Sequence, residues 1–558
     1  MSSVAIQDPP VAATRFAQQG AIRALRILSR TDVQLGILLI VCFIPRALAA
    51  WRLPAVCDDA YYYLHVADSL DRGRITRALE YLNVNVYPMV LIGLHRLGLD
   101  WIVGAKLWGV LTGTALVLPL FDWLRRMFDK QIAMLAVFLY AVHPRIVEPT
   151  IEPLRESTFW FFFVLCLDLF WRAARERRWW QFPAGGLSLA LALHTRMEAW
   201  FLLAPLGVWV ATSWWRLPAV RARLVCGTFL CLALTPLFVL FVNVTLLAHH
   251  SQWELGRLSP FLLVGKWVQS PLHEPSVAGP VPTRTPPSSV PASAVPATAA
   301  APTLPSIPHA EAPAPALETS PTSTLRVYLH EMTRTLGVVF LALTVIGLVQ
   351  GHRELLDPNK AVLGLLTIAV LLAIWVRVSE IGTINGRYFL ILLFLDAPFT
   401  ALGGLVVIRW FERFGLSRGI AWLSPGRASA VFATCLLLAG WGEALATHHS
   451  HRATEARLGK WISSQSGRFH SVVADFNSVR PAYAAGHGMP DVVTFDEFYE
   501  KRFERSPPDL AIFYPAGFRA DLLPHLVIRA ARLGMTPLDQ AAFSSGKSEF
   551  VVFVRTPR

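Results

Sequence analysis

The sequence predicts an all-α polytopic membrane domain of about eleven transmembrane helices, followed by a small C-terminal α/β domain. Three observations predict it. Of 558 residues, 54% are hydrophobic and 16% charged, with a mean hydropathy of +0.45, whereas soluble globular proteins carry about 25% charged residues. Apolar runs close to membrane-spanning length recur along the chain. From residue 448 to 558 those runs stop, and short strand and helix patterns alternate instead. A water-soluble core cannot absorb so much apolar sequence, because long soluble chains divide into domains with polar skins. An ordinary cytosolic enzyme, a disordered chain and a fibrous protein are excluded.

Residues 1–30 form a polar leader with Arg15, Arg23, Arg26 and Arg30, expected in the cytoplasm. The run Val33–Ala50 is too long for a signal h-region and lacks a convincing small-residue cleavage site, so it reads as the first span. Ten further spans follow: Trp101–Leu124, Gln131–His143, Ser157–Trp171, Trp179–His194, Ala199–Trp214, Leu224–Ala248, Glu331–Val349, Ala361–Val376, Tyr388–Ile408 and Ala428–Ala446. Tyr87–Leu97 is apolar but too short to cross and reads as a re-entrant or interfacial helix. The membrane domain therefore covers 31–447, and 51–100 is its first large loop. Within it, residues 271–325 are rich in Pro, Ala and Ser; such a segment cannot offset its ordering entropy and is expected to be disordered.

In the tail, a helix over Thr454–Ser463 precedes strands at His470–Phe476 and Asp491–Phe495. A helix at Asp496–Arg505, a strand at Leu510–Tyr514, a helix at Ala520–Leu533 and a strand at Glu549–Val554 follow. No nucleotide-binding glycine motif, nucleophile elbow or zinc-protease motif occurs there.

Net charge is +13. The cations gather in short turns between apolar runs, as at Arg125, Arg126 and Lys130, or Arg172, Arg175, Arg177 and Arg178. Alternate turns hold fewer, which is the positive-inside asymmetry rather than a nucleic-acid stripe. It places the loop after span one, the segment His249–His330 and the C-terminal domain outside. The six cysteines show no paired spacing, and most lie in apolar runs as small hydrophobes. The cluster His448-His449-Ser450-His451 lacks a nearby carboxylate or Cys partner and is too weak a signal for metal.

The richest stretch is Cys57-Asp58-Asp59-Ala60-Tyr61-Tyr62-Tyr63, directly after span one at the membrane boundary. Tyr62, Leu64-His65, Ala67 and Leu70 fit a short amphipathic helix. A carboxylate pair heading that helix can take a proton from a hydroxyl or simply cap it. The third turn holds Arg145, Glu148, Glu152, Arg155 and Glu156. That is an ion-pair network or one wall of a polar cavity in which Glu148 or Glu152 orients substrate. Arg196 and Glu198 sit close to apolar spans, as a structural pair or as functional groups. The ninth turn carries Glu380, Gly386, Arg387 and Tyr388; a guanidinium at headgroup level suits bidentate phosphate binding, or snorkels.

In this order, Asp58-Asp59 with its aromatic residues, Tyr87-Pro88, the Glu-bearing third turn, Leu193–Glu198 and Gly386-Arg387-Tyr388 resemble the GT-C superfamily of membrane glycosyltransferases. These include protein O-mannosyltransferases and the lipid A aminoarabinose transferase. The resemblance spans roughly Val33–Ile408. It implies a GT-C-like fold and transfer of a sugar from a polyprenyl-phosphate donor to an extracytoplasmic acceptor hydroxyl, with inversion. It implies Asp58 or Asp59 as the catalytic carboxylate, acting as base, and Arg387 as a donor-phosphate contact, with Arg196 as a second candidate. Tyr62, Glu148, Glu152, Glu198, Glu380 and Tyr388 are the expected substrate-binding residues. No cofactor or metal is expected: the paired Asp could hold a divalent ion, but a monophosphate donor needs less neutralisation than a diphosphate. The acceptor is a lipid, glycan or protein, and the site is a cell (inner or plasma) membrane. A polytopic lipid or glycan transporter is the alternative, disfavoured because the charges gather at one face and no repeat is visible.

Overall fold

The computed structural model describes residues 31–53, 56–176, 178–216, 221–246, 321–381, 384–420, 426–446, 450–465, 468–475, 491–492, 498, 502–514, 523–539 and 550–556. The leader 1–30, the Pro-rich stretch up to residue 320 and residues 448–449 of the His cluster lie outside them.

The first span is α1 (Thr31–Arg52). The loop after it folds into three helices, α2 (Asp58–Asp71), α3 (Ile75–Tyr81) and α4 (Val86–Arg96). Next come α5 (Trp101–Ala115), α6 (Val117–Met127), α7 (Lys130–Val142), α8 (Pro144–Ile151), α9 (Glu156–Glu176) and α10 (Gln181–Leu193). A 3₁₀ turn (Met197–Leu202), α11 (Leu203–Arg216) and α12 (Arg221–Leu246) complete the first part. Beyond residue 320 lie α13 (Pro321–Leu336), α14 (Val338–Gln350), α15 (Pro358–Ile381), the 3₁₀ turn Gly386–Ile391, α16 (Leu392–Leu395), α17 (Ala397–Ser417) and α18 (Arg427–Leu445).

Among the described residues, six helices are long and apolar enough to cross a membrane, or nine if each of three bent pairs is one span. Two shorter apolar helices, Gln181–Leu193 and Met197–Thr212, fall on the remaining runs. Every apolar run read from the sequence therefore corresponds to a helix or helix pair. Asp100 accepts hydrogen bonds from the Ile102 and Val103 amides and starts α5; Asp129 accepts from Ile132 and starts α7. Of the cysteines, Cys42, Cys166 and Cys231 are buried, while Cys226 and Cys435 face outward with the apolar surface.

The bends are what the run lengths did not disclose. α7 and α8 meet at 60°, with Pro144 at the break. The expected span Glu331–Val349 divides at Gly337, whose φ of 74° ends α13, and α14 leaves at 96°. Glu331 thus belongs to a separate helix, and α13 begins at Pro321, inside the stretch expected to be disordered. Gly386–Leu395 and α17 meet at 68°. α14 and α17 pack backbone to backbone: a Cβ on Gly347 would overlap the Phe399 carbonyl oxygen, and one on Gly403 the Leu343 carbonyl.

The tail contains α19 (Ser450–Ser464), β1 (Val472–Ala474), β2 (Asp491–Val492), α20 (Arg502–Arg505), β3 (Leu510–Phe513), α21 (Leu523–Arg532), β4 (Met535–Pro537) and β5 (Val551–Arg555). Its five-stranded sheet has the order β2-β1-β3-β5-β4. β1 is parallel to β2 and β3; β5 is antiparallel to β3 and β4. The short edge strand β4 is absent from the sequence reading. One hydrophobic cluster joins Tyr61 and Leu64 of α2 and Leu91 of α4 to Leu458 and Ile462 of α19 and Leu510 of β3. The tail and the first loop therefore lie on the same side of the bundle.

Candidate active site

Asp59 occupies the second position of α2. The residue before the helix, Cys57, makes no side-chain cap. Its amide donates instead to Glu152 Oε2 at 2.9 Å, so a carboxylate from beyond α8 holds the start of α2. Asp59 accepts from Arg387 Nη2. Arg387 is set by Asn385, whose side chain accepts its amide at 3.0 Å and opens the 3₁₀ turn. Gly386 lets that turn lie against α13, since a Cβ there would overlap the Thr335 hydroxyl.

Charge then alternates inward. Arg387 Nη1 lies 3.3 Å from Glu156 Oε1, and the same oxygen accepts from Arg196 Nη1 at 2.8 Å. Arg196 also donates to Glu198 Oε1 from Nη2 and Nε, at 2.6 and 3.1 Å. Its guanidinium lies 4.9 Å from the Tyr388 ring centre and 5.9 Å from that of Phe159. Burial works against this cation, but Glu198 and Glu156 more than offset it and raise its pKa above the ordinary guanidinium value. The turn bearing Arg196 is clipped to α4: Asn85 Nδ2 donates to Thr195 O at 3.0 Å, and the Val86 amide to His194 O at 3.1 Å. Tyr63 and Tyr87 pack edge to face at 5.5 Å, and burial pushes both phenols above their usual range.

A cavity of about 520 Å³ opens beside this ladder, lined by Cys57, Asp59, Arg145, Glu148, Pro149, Glu152, Leu154, Glu331, Arg334, Thr335, Ile384, Asn385, Gly386, Arg387 and Leu390. α8, α13 and the Gly386–Ile391 turn, one half of each bent pair, supply most of that lining. Asp59, Arg387, Glu148 and Glu152 thus meet at one site. Arg196, Glu198, Tyr62 and Tyr388 do not line it. Arg196 is only 6% exposed and both edges of its guanidinium meet carboxylates, which places it behind Glu156 and away from the cavity lining. The side chains of Asp58 and Glu380 lie outside the described residues.

Sequence reasoning passed over Glu156, the hub of the ladder, and Glu331 and Arg334, which it placed at the mouth of a span. Charge inside the third turn was the only signal for the first. The Arg145–Glu148 contact at 3.7 Å shows that the ion-pair and cavity-wall readings of that turn coexist. Among the described residues, no group of three or more His, Cys, Asp or Glu side chains could hold a metal ion.

A polytopic helical bundle thus carries a folded first loop, a polar cavity beside it and an α/β tail. Residues 86–241 match the family model described as dolichyl-phosphate-mannose-protein mannosyltransferase. The chain is similar to ArnT from Cupriavidus metallidurans bound to undecaprenyl phosphate, with TM-score 0.54 and 14% identity over 95% of this chain and 100% of that one. It is also similar to the Archaeoglobus fulgidus oligosaccharyltransferase in complex with Zn and sulfate, with TM-score 0.52 and 13% identity over 86% of this chain and 67% of that one. No curated protein sequence matches the chain. The fold is GT-C, and the family match runs from α4 into α12.

Proposed function

We propose that the protein transfers a sugar from a polyprenyl-phosphate donor to an acceptor hydroxyl on the extracytoplasmic face of a cell membrane, with inversion. The observation that carries this reading is the Asp59–Arg387 pair at the wall of a polar cavity beneath the first loop. The acceptor O–H gives its proton to the Asp59 carboxylate as its oxygen bonds to the anomeric carbon. On the opposite face the carbon–oxygen bond to the lipid phosphate breaks, and the phosphate leaves with the electron pair. Arg387 stabilises that charge, with Glu156 and Arg196 fixing it from behind. Glu148 and Glu152 face the acceptor, which is a lipid, glycan or protein hydroxyl. The charge asymmetry of the turns supports the outward orientation, and the undecaprenyl phosphate bound to the similar ArnT structure supports a lipid-linked donor. No metal or cofactor enters a step.

The test is transfer from labelled polyprenyl-phosphate sugars by purified protein in lipid, with and without envelope extract. Asp59→Asn is expected to lose roughly 10²–10⁴-fold in turnover, the usual share of a general base; Asp58→Asn and Arg387→Ala are run beside it. Undiminished transfer in Asp59→Asn sinks the assignment. Donor moved across vesicles without a covalent product would replace it with transport.

A further inference from the structure

Arg387, Arg196, Arg145 and Arg334 stand in or behind the site, and they are not equally available. Arg387 is held between Asp59 and Glu156, and Arg196 between Glu156 and Glu198. A phosphate reaching either must displace a carboxylate already in contact. Arg145 and Arg334 differ. Each meets one carboxylate on its own helix, Glu148 at 3.7 Å and Glu331 at 3.3 Å, and their side chains are 37% and 61% exposed. Such loose, solvated pairs contribute little and yield readily to a better anion. Both line the cavity.

Their helices are also tied together. His143, two residues before Arg145, donates from Nε2 to the carbonyl of Leu336, two residues after Arg334, at 3.1 Å. That bond links the α7–α8 break to the α13–α14 break. It ties together the two arginine-bearing segments that line one cavity.

We infer that Arg145 and Arg334 form the seat for the phosphate of a polyprenyl-phosphate ligand, while Arg387, still paired with Asp59, adds its charge from the same cavity wall as the phosphate leaves. This rests on the transferase reading and names which residues of that site grip the headgroup. The phosphate replaces Glu148 and Glu331 as the partner of each guanidinium. A lipid phosphate and free inorganic phosphate share this chemistry, and the test separates them.

Full-length protein in nanodiscs is titrated with undecaprenyl phosphate, undecaprenol or inorganic phosphate, with binding read by native mass spectrometry. Arg145→Gln and Arg334→Gln are each expected to weaken undecaprenyl phosphate binding about tenfold or more, as loss of a charge-assisted hydrogen bond does. Undecaprenol is expected to bind weakly to all forms. Glu331→Gln is the discriminating variant: it frees Arg334, so binding holds or tightens. If Arg334–Glu331 were only a structural pair, Glu331→Gln and Arg334→Gln would behave alike, and that result overturns the proposal. Unchanged affinity in both arginine variants also overturns it, as does undecaprenol binding as tightly as its phosphate. Inorganic phosphate binding as tightly as the lipid would make the free anion the ligand and overturn the lipid assignment. Wild-type protein that binds through these arginines yet transfers no sugar leaves the seat standing and removes the transferase reading. Normal transfer at low donor concentration by the double variant does the reverse.

Discussion

Glu156→Gln separates the buried ladder from the exposed pairs around it. The Glu156 side chain is 3% exposed, and one of its oxygens serves both Arg196, at 2.8 Å, and Arg387, at 3.3 Å. Breaking a buried ion pair by removing one partner costs about 3–5 kcal/mol, because the other charge remains buried. The amide oxygen of Gln still accepts from Arg196, and a neutral hydrogen bond retains about 1 kcal/mol. The net loss expected is about 2–4 kcal/mol. Glu148→Gln makes the same chemical change where the pair is 3.7 Å apart and the side chains are 37% and 44% exposed. There screening leaves at most about 1 kcal/mol. Melting of both purified variants in one detergent, followed by the fluorescence of the 19 tryptophans, should place Glu156→Gln several degrees below wild type and Glu148→Gln near it. Equal melting of the two variants would refute the argument that burial, rather than the number of ion pairs, sets the energetics of this site.

Two further changes probe its supports. Asn85→Ala removes both the α4 cap, where the side chain accepts from the Tyr87 amide at 2.9 Å, and the donor to Thr195 O at 3.0 Å. A lost cap costs about 0.5–2 kcal/mol, and displacement of the Arg196 turn should lower turnover as well as stability; activity and melting both at wild-type levels would refute it. Gly403→Ala drives a Cβ into the Leu343 carbonyl and should part α14 from α17, seen as loss of the monodisperse peak in size-exclusion chromatography; an unaltered peak and melting temperature would count against that packing.

The spans were legible because apolar length is all that a bilayer demands of them. The breaks were not, because a bend leaves composition unchanged. Pro144 marked one break, but Gly337 sits in an apolar stretch with no flanking turn residues, and only its positive φ shows why α13 ends. The site was legible to the extent that its charges lie in turns: Asp59, Glu148, Glu152 and Arg387 all came from that reasoning. Their pairing was not, since Asp59 and Arg387 stand 328 residues apart. The amphipathic pattern on α2 misjudged its surroundings. Ala60, Tyr61, Tyr63, Leu64 and Ala67 are all buried, in a cluster shared with Leu91 of α4 and with Leu458, Ile462 and Leu510 of the tail. β4 escaped notice because only Met535 of its three residues is buried, leaving no alternation to read.

The breaks and the chemistry belong to one device. A straight span satisfies its own backbone and presents only side chains, so the charged groups of a site would hang in the hydrocarbon. A broken span turns a half-helix aside, and Glu148, Glu331 and Arg387, each on one half of a bent pair, line one cavity together. It also frees backbone groups, which must find partners inside the membrane. His143 meets the Leu336 carbonyl, and fully buried Arg46 donates to the carbonyls of Cys42 and Ala141, the latter at the negative end of α7. A buried arginine without a carboxylate is costly unless such carbonyls are there to receive it. Arg46 thus holds the end of α7 from which α8 turns away, and through α8 it fixes the wall that carries Arg145, Glu148 and Pro149.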